Sequence, residues 1–199
     1  MASLNIGITG SADRGLTNNT ESIVLLNRAG AQVMVDWYTQ AILDGHGYQI
    51  RAGTITTPIV GDVAITDTFA EYCLDTTSGN VIIPIYNNIS VRAGTGTAHE
   101  MAIKSVATVS SAGTAFTPLP MLSNGAAAGG ALTGRAATAG GVTVTAELAT
   151  TTLRHWSYSQ QAVLTTGQCI VPDFQPLRPP VLVGARCVYV QIAAATTGP

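Results

Sequence analysis

The sequence predicts an all-β protein, a sandwich or barrel of about eight to ten strands. Three observations predict it. Apolar and polar residues alternate with a period of two along several runs rich in Val, Ile, Thr and Tyr, as in strands with one buried face. Gly, Pro, Asn and Asp separate those runs at short intervals, and no long helical pattern intervenes. The chain has 199 residues, which suits one large β domain, and it is read as a single domain over 1–199.

Taken in order, "LNIGIT" near the N-terminus reads as a short strand within a possible arm over residues 1–30. In "NNTESIVLLNRAG" (18–30), Thr20 can N-cap a helix and Gly30 can end it. The same "SIVLL" also suits a strand. "AQVMVDWY" (31–38) places Val33, Val35 and Trp37 on one side. "YQIRAGTITTPIV" is a further short candidate. "DVAITDTFAEYCLD" (62–75) alternates through Val63, Ile65, Asp67 and Phe69. "GNVIIPIYNNISVRAG" (79–94) is β-branched and bounded by Gly. Pro84 within it marks an edge strand or a bulge, because proline cannot donate to a ladder. "EMAIKSVATVSSAG" (100–113) reads as a strand through Ile103, Val106 and Val109. "GGVTVTAELATTTLRHW" (140–156) alternates through Val142, Val144, Ala146 and Leu148. "QAVLTT" adds a short run, and "VLVGARCVYVQIAA" (181–194) closes the pattern before a tail over 193–199.

One connection stands apart. Over 114–141 a Pro-stiffened lead, "FTPLPML", runs into "SNGAAAGGALTGRAATAGG" (123–141). Pro118 and Pro120 fix φ and hold their neighbours extended. The stretch that follows has too little apolar bulk for a core and would lose much entropy on ordering. Connections this long are uncommon in compact domains unless they are functional. Small side chains let backbones approach closely, so an arm or crossover packed against another subunit is expected. The alternative is a long surface loop across its own domain. Leu4, Ile6, Pro118, Pro120, Leu122, Leu132 and Arg135 are the candidate subunit-contact residues.

Composition excludes several functions. Charged residues make up 10% of the chain, against roughly 25% in an average globular protein. There is a single Lys, Lys104, among nine scattered cations, and the net charge is −2. A nucleic-acid binder would carry a clustered basic face. The N-terminus has no basic, apolar signal pattern, and no run is long enough to span a bilayer. A product made in the cytoplasm is expected, with no nucleic-acid or membrane partner. A surface so poor in charge suits coverage by other subunits better than a free monomer.

Catalytic signatures are absent. Cys73, Cys169 and Cys187 show no CxxC or zinc spacing and read as buried apolar thiols, with a Cys169–Cys187 disulfide left open. His46, His99 and His155 match no metal motif, and "HEMAI" lacks the second His of a zincin. No GxSxG, P-loop or GxGxxG occurs. Asp67 with Glu71, or Glu147 with Asp173, gives no reason to expect a carboxylate dyad. Asp44, His46 and Asp62 have no spacing that demands a metal. No catalytic residue, metal or cofactor is expected. Trp37, Tyr38, Tyr48, Tyr72, Tyr86, Trp156 and Tyr158 read as core or interface anchors. The sequons at Asn18 and Asn88 are taken as chance.

Thr/Ala/Gly-rich strands, near-absence of Lys, Pro-flanked extended segments and the low-complexity arm together resemble viral and bacteriophage virion proteins. "AGTITTPIVGDVAITDTFAEYCLD" and "VSSAGTAFTPLPML" carry the resemblance most visibly. It implies a jelly-roll-like sandwich with extended arms in a symmetric assembly, located in the virion. It transfers no functional residue. The expected function is a self-assembling capsid decoration or minor capsid protein, possessing no enzymatic activity. Its partners are further copies of itself, as a trimer or larger closed assembly, and other capsid proteins. The alternatives are a fibre, receptor-binding or carbohydrate-binding sandwich and, third, a β-sandwich or cupin-like enzyme.

Overall fold

The computed structural model describes residues 36–53, 59, 61, 65, 68–90, 98–137, 141–145, 150–159 and 171–193. Within them the protein is all-β, with one short α-helix and antiparallel sheets. The N-terminal strand and helix candidates up to residue 35, together with "QAVLTT", lie outside the described residues, as do Leu4 and Ile6. The chain forms two compact units.

The smaller unit comprises Met1–Tyr48 and Pro120–Ala126. Its described part holds the helix α1 (Trp37–Leu43). The alternation over 31–38 predicts a strand, but Trp37 and Tyr38 open this helix. Asp36 decides it as N-cap, because Oδ1 accepts from the backbone N–H of Tyr38 and of Thr39, each at 3.0 Å. Oδ2 accepts from Thr39 Oγ1 at 2.6 Å, and that hydroxyl holds the Asp36 carboxyl below its ordinary pKa of 3.8. The Tyr38 hydroxyl reaches Met121 Sδ at 3.7 Å.

The larger unit comprises Gln49–Leu119 and Ala127–Pro199. Numbered along the whole described chain, the strands are β1 (Tyr48–Gln49), β2 (Phe69–Ala70), β3 (Tyr72–Thr76), β4 (Val81–Ile82), β5 (Asn87–Asn88), β6 (Ala98–Val106), β7 (Ser111–Ala112) and β8 (Thr114–Phe116). They continue with β9 (Leu119–Pro120), β10 (Leu132–Ala136), β11 (Val142–Thr143), β12 (Thr150–Ser159), β13 (Asp173–Phe174), β14 (Leu182–Val183) and β15 (Arg186–Ala193). A six-stranded sheet runs β12-β6-β15-β3-β10-β8 and a three-stranded sheet runs β2-β11-β7. Two-stranded ladders join β13 to β5 and β14 to β4.

The two larger sheets are linked by their chain order. The three-stranded sheet reads β2-β11-β7, and the six-stranded sheet ends β3-β10-β8. Each strand of the first is the sequence neighbour of the corresponding strand of the second. Three adjacent strands therefore bend together from one layer into the other, as at the corner of a sandwich. The bend falls at Glu71 between β2 and β3, and at Ala112 and Gly113 between β7 and β8. Ala112 has φ 57° and Gly113 has φ 67°, the left-handed region that lets a strand turn sharply.

Side-chain parity then sorts the six-stranded sheet into two cores. One face carries Met101, Ile103, Trp156 and Val190, packed with Ile89 and Phe174. Tyr72 joins this face and donates its hydroxyl to Asn87 Oδ1 at 2.9 Å, and burial pushes its pKa up to about 12. The other face carries Cys73, Val106, Cys187 and Tyr189, covered by Ala70, Val142 and Val144 of the folded-over band. The long strand β12 skips one register position between Thr152 and Arg154, a bulge that admits Leu153 without breaking the ladder.

The low-complexity stretch lands inside the fold. Residues Leu132–Ala136 pair with Tyr72–Thr76 on one side and with Thr114–Phe116 on the other. Gly134 lies opposite Phe116, whose ring edge would meet an added Cβ at 2.4 Å. The missing side chain is what seats the aromatic ring. Gly134→Ala is expected to displace that ring and lower stability by about 1–2 kcal/mol, measured by urea denaturation.

Candidate functional site: a buried Cys–Cys–Asp cluster

Strands β3 and β15 lie side by side in the middle of the six-stranded sheet. Their register sets Cys73 opposite Tyr189 and Asp75 opposite Cys187. All four side chains point to the same face, because residues two apart on a strand share a face. Cys73 and Cys187 thus meet on a diagonal, with Asp75 beside both. Their two Sγ atoms and an Asp75 carboxylate oxygen all lie within 4.8 Å of one another. Both cysteines are free thiols with 0% exposure, and Asp75 is buried.

Asp75 is held by three donors. Its Oδ1 accepts from the Ser110 backbone N–H at 2.8 Å. Its Oδ2 accepts from Ser110 Oγ at 2.6 Å and from Arg135 Nε at 3.3 Å. Arg135 also donates through Nη1 to the Ala112 carbonyl at 3.2 Å. Ser110 Oγ lies 3.0 Å from Cys73 Sγ. Ser110 and Ala112 belong to the folded-over band, while Asp75 and Arg135 belong to the six-stranded sheet. The network therefore clips one layer to the other at the corner. The neighbouring Cys73 thiol, burial and the Asp75 carboxylate all push the Cys187 thiol upward, so it stays protonated. A cavity of about 190 Å³ opens against the cluster, lined in part by Asp75, Ser110, Arg135 and Thr133.

The sequence-based contact candidates are distributed differently. Pro118 is fully buried within its own chain. Pro120, Leu122 and Leu132 are half-buried. Arg135 is engaged with Asp75 and Ala112. Cys187 stands next to Cys73, and Cys169 lies outside the described residues. Asp44 caps the C-terminal end of α1 and accepts from Gln40 Nε2 at 2.8 Å. Asp62, Asp67 and Glu147 lie outside the described residues. Glu71 is buried and its Oε2 accepts from the Ile192 backbone N–H at 2.8 Å, which ties the bend at Glu71 to β15. Of the aromatics, Trp156 is buried with the Arg154 guanidinium 5.8 Å from its ring centroid. Trp37 and Tyr86 are exposed.

His99 is a further buried titratable group. Its side chain has no exposure, and neither ring nitrogen has a hydrogen-bond partner among the described residues. Desolvation lowers its pKa below the ordinary 6.5. Below that pH the unfolded chain takes up a proton that the folded chain resists, so stability falls as pH drops from about 6.5 through the folded value. Thermal midpoints across that range are expected to show this limb in the wild type and a flatter one in His99→Gln. An unchanged limb would assign it to other groups.

No family model, no curated protein and no solved structure matches this chain. Among the described residues no helix is long and apolar enough to cross a membrane.

Proposed function

We propose that this chain is a structural virion protein, a jelly-roll-like decoration or minor capsid component that self-assembles or binds a capsid lattice. One observation carries the reading beyond composition. The ladder of β4 and β14 is apolar on both sides. Ile82 and Leu182 pair inward and are buried. Val81 and Val183 pair outward at 52% and 64% exposure, with Val181 beside them at 62%. Leu177 nearby in sequence is fully exposed. Opposed valines on a water-facing ribbon are an unusual use of a surface position, and a cluster of exposed apolar residues fits a protein contact. In a chain with 10% charged residues, a second copy of the chain is the natural cover. Burying that face is worth about 25 cal/mol per Å² before association costs.

Light scattering over a concentration series tests this. The wild type is expected to be a trimer or larger, and Val81→Lys with Val183→Lys is expected to lower the mass to that of the monomer while the circular dichroism stays unchanged. A wild type that is monomeric at every concentration, and stays so with capsid lattices added, overturns it. The alternative of a sugar- or receptor-binding head draws on the edge-to-face pair of exposed Trp37 and half-buried Tyr38, with centroids 6.2 Å apart. Fluorescence quenching of Trp37 by glycans would favour that head.

A further inference from the structure

We infer that Cys73, Cys187 and Asp75 form a binding site for a thiophilic divalent ion of the zinc class. Three observations carry it. The donor set is two thiols and a carboxylate, a combination that zinc accepts. Tetrahedral ligands at about 2.3 Å from zinc stand roughly 3.8 Å apart. The three donor atoms already lie within 4.8 Å of one another, so the site closes by about 1 Å or less. Two strands fix the donors from neighbouring positions of one ladder, so the site is preformed by the sheet.

The surroundings suit the ion as well. Arg135 Nε and the backbone N–H and hydroxyl of Ser110 orient the Asp75 carboxylate, as outer partners do for metal ligands. A carboxylate offers about four lone-pair directions, and three are used. A cavity reaches the Asp75 end of the cluster, beside Ser110 and Arg135, and a water from it would take the fourth coordination position. Charge also balances. Binding exchanges two thiol protons for one divalent ion: M²⁺ + 2 RSH + RCOO⁻ gives the anionic complex M(SR)₂(OOCR)⁻ and two H⁺. The complex carries one net negative charge, which the Arg135 guanidinium offsets. Such an ion would staple β3 to β15 across the centre of the sheet, independently of what the outer surface binds.

The test uses the full chain, reduced with a phosphine, and Co²⁺ as a spectroscopic stand-in for zinc. One Co²⁺ per chain is expected, with thiolate-to-cobalt charge-transfer absorption and tetrahedral visible bands. Zn²⁺ should displace it, and two protons should be released per ion in weak buffer. Cys187→Ser and Cys73→Ser should each weaken binding about tenfold or more, and Cys169→Ser should leave it unchanged. Because buried cysteine variants can misfold, the wild type is also mapped by alkylation in mild denaturant. Zn²⁺ should slow labelling of Cys73 and Cys187 but not of Cys169, and a chelator should restore it. No charge-transfer band at stoichiometric Co²⁺ overturns the inference. So does a band lost only with Cys169→Ser, or labelling of all three thiols that Zn²⁺ does not alter.

Discussion

Asp75→Ala is expected to destabilise the protein by about 3–5 kcal/mol, the range for breaking a buried charged network by deleting one partner. The carboxylate takes three donors, two from Ser110 and one from Arg135. Its removal leaves the Ser110 N–H without its acceptor in a buried position and leaves the Arg135 guanidinium without its carboxylate. Hydrogen bonds to charged groups contribute more than neutral ones, and an orphaned buried donor adds its own desolvation cost. The effect is also architectural, because Ser110 sits on the folded-over band and Asp75 on the six-stranded sheet. Urea denaturation measures it. Asp75→Asn, which keeps an acceptor for the Ser110 N–H, should lose less. A double-mutant cycle with Arg135→Met should show a coupling energy, since the two groups are in contact. A loss under about 1 kcal/mol for Asp75→Ala would mean that the corner is held by apolar packing alone.

Gly113→Ala is the second large effect, at roughly 2–4 kcal/mol. Two causes add. The φ of 67° costs an L-residue about 1–2 kcal/mol. A Cβ there would also stand 2.7 Å from the Ala136 carbonyl oxygen and 2.8 Å from Val142 Cγ2. The first of these is backbone of an inner strand and cannot swing away. Gly79 provides the control, with φ 85° and nothing within 4 Å of an added Cβ. Gly79→Ala should therefore lose only the conformational term. The difference between the two variants in urea isolates the steric cost of the corner. Equal losses would show that the layers part without strain at Gly113.

Much of the fold was legible in the residues. The runs 100–113, 140–156 and 181–194 contain the longest strands, Ala98–Val106, Thr150–Ser159 and Arg186–Ala193, because β-branched residues bounded by turn residues favour strands. The alternation through Val142 and Val144 yields only Val142–Thr143, and Ala146 and Leu148 lie outside the described residues. Pro84, expected to mark an edge strand or a bulge, instead falls between two separate short strands, Val81–Ile82 and Asn87–Asn88. Trp37 and Tyr38 were misread because a single capping carboxylate, Asp36, outweighs a short alternation. Leu132–Ala136 was illegible because its strand character comes from its neighbours. A Gly-Arg-Ala sequence has little strand preference of its own, but two flanking strands supply its ladder and Phe116 occupies the space above Gly134.

The candidate site was hidden for a related reason. Alternation places Cys73 with Asp75 on one face of a strand, and Cys187 with Tyr189 on one face of another. It says nothing about which strand pairs with which, since β3 and β15 are distant in sequence and pairing is settled by the whole sheet. By itself the sequence determined an all-β chain, poor in charge, with its cysteines in apolar runs, because composition and local periodicity are properties of the residues alone. Only the tertiary structure decided that three strands bend together into a second layer, and that two thiols and a carboxylate meet beneath it. Register between distant strands is a collective outcome of packing, and it alone brings those donor atoms within reach of one another.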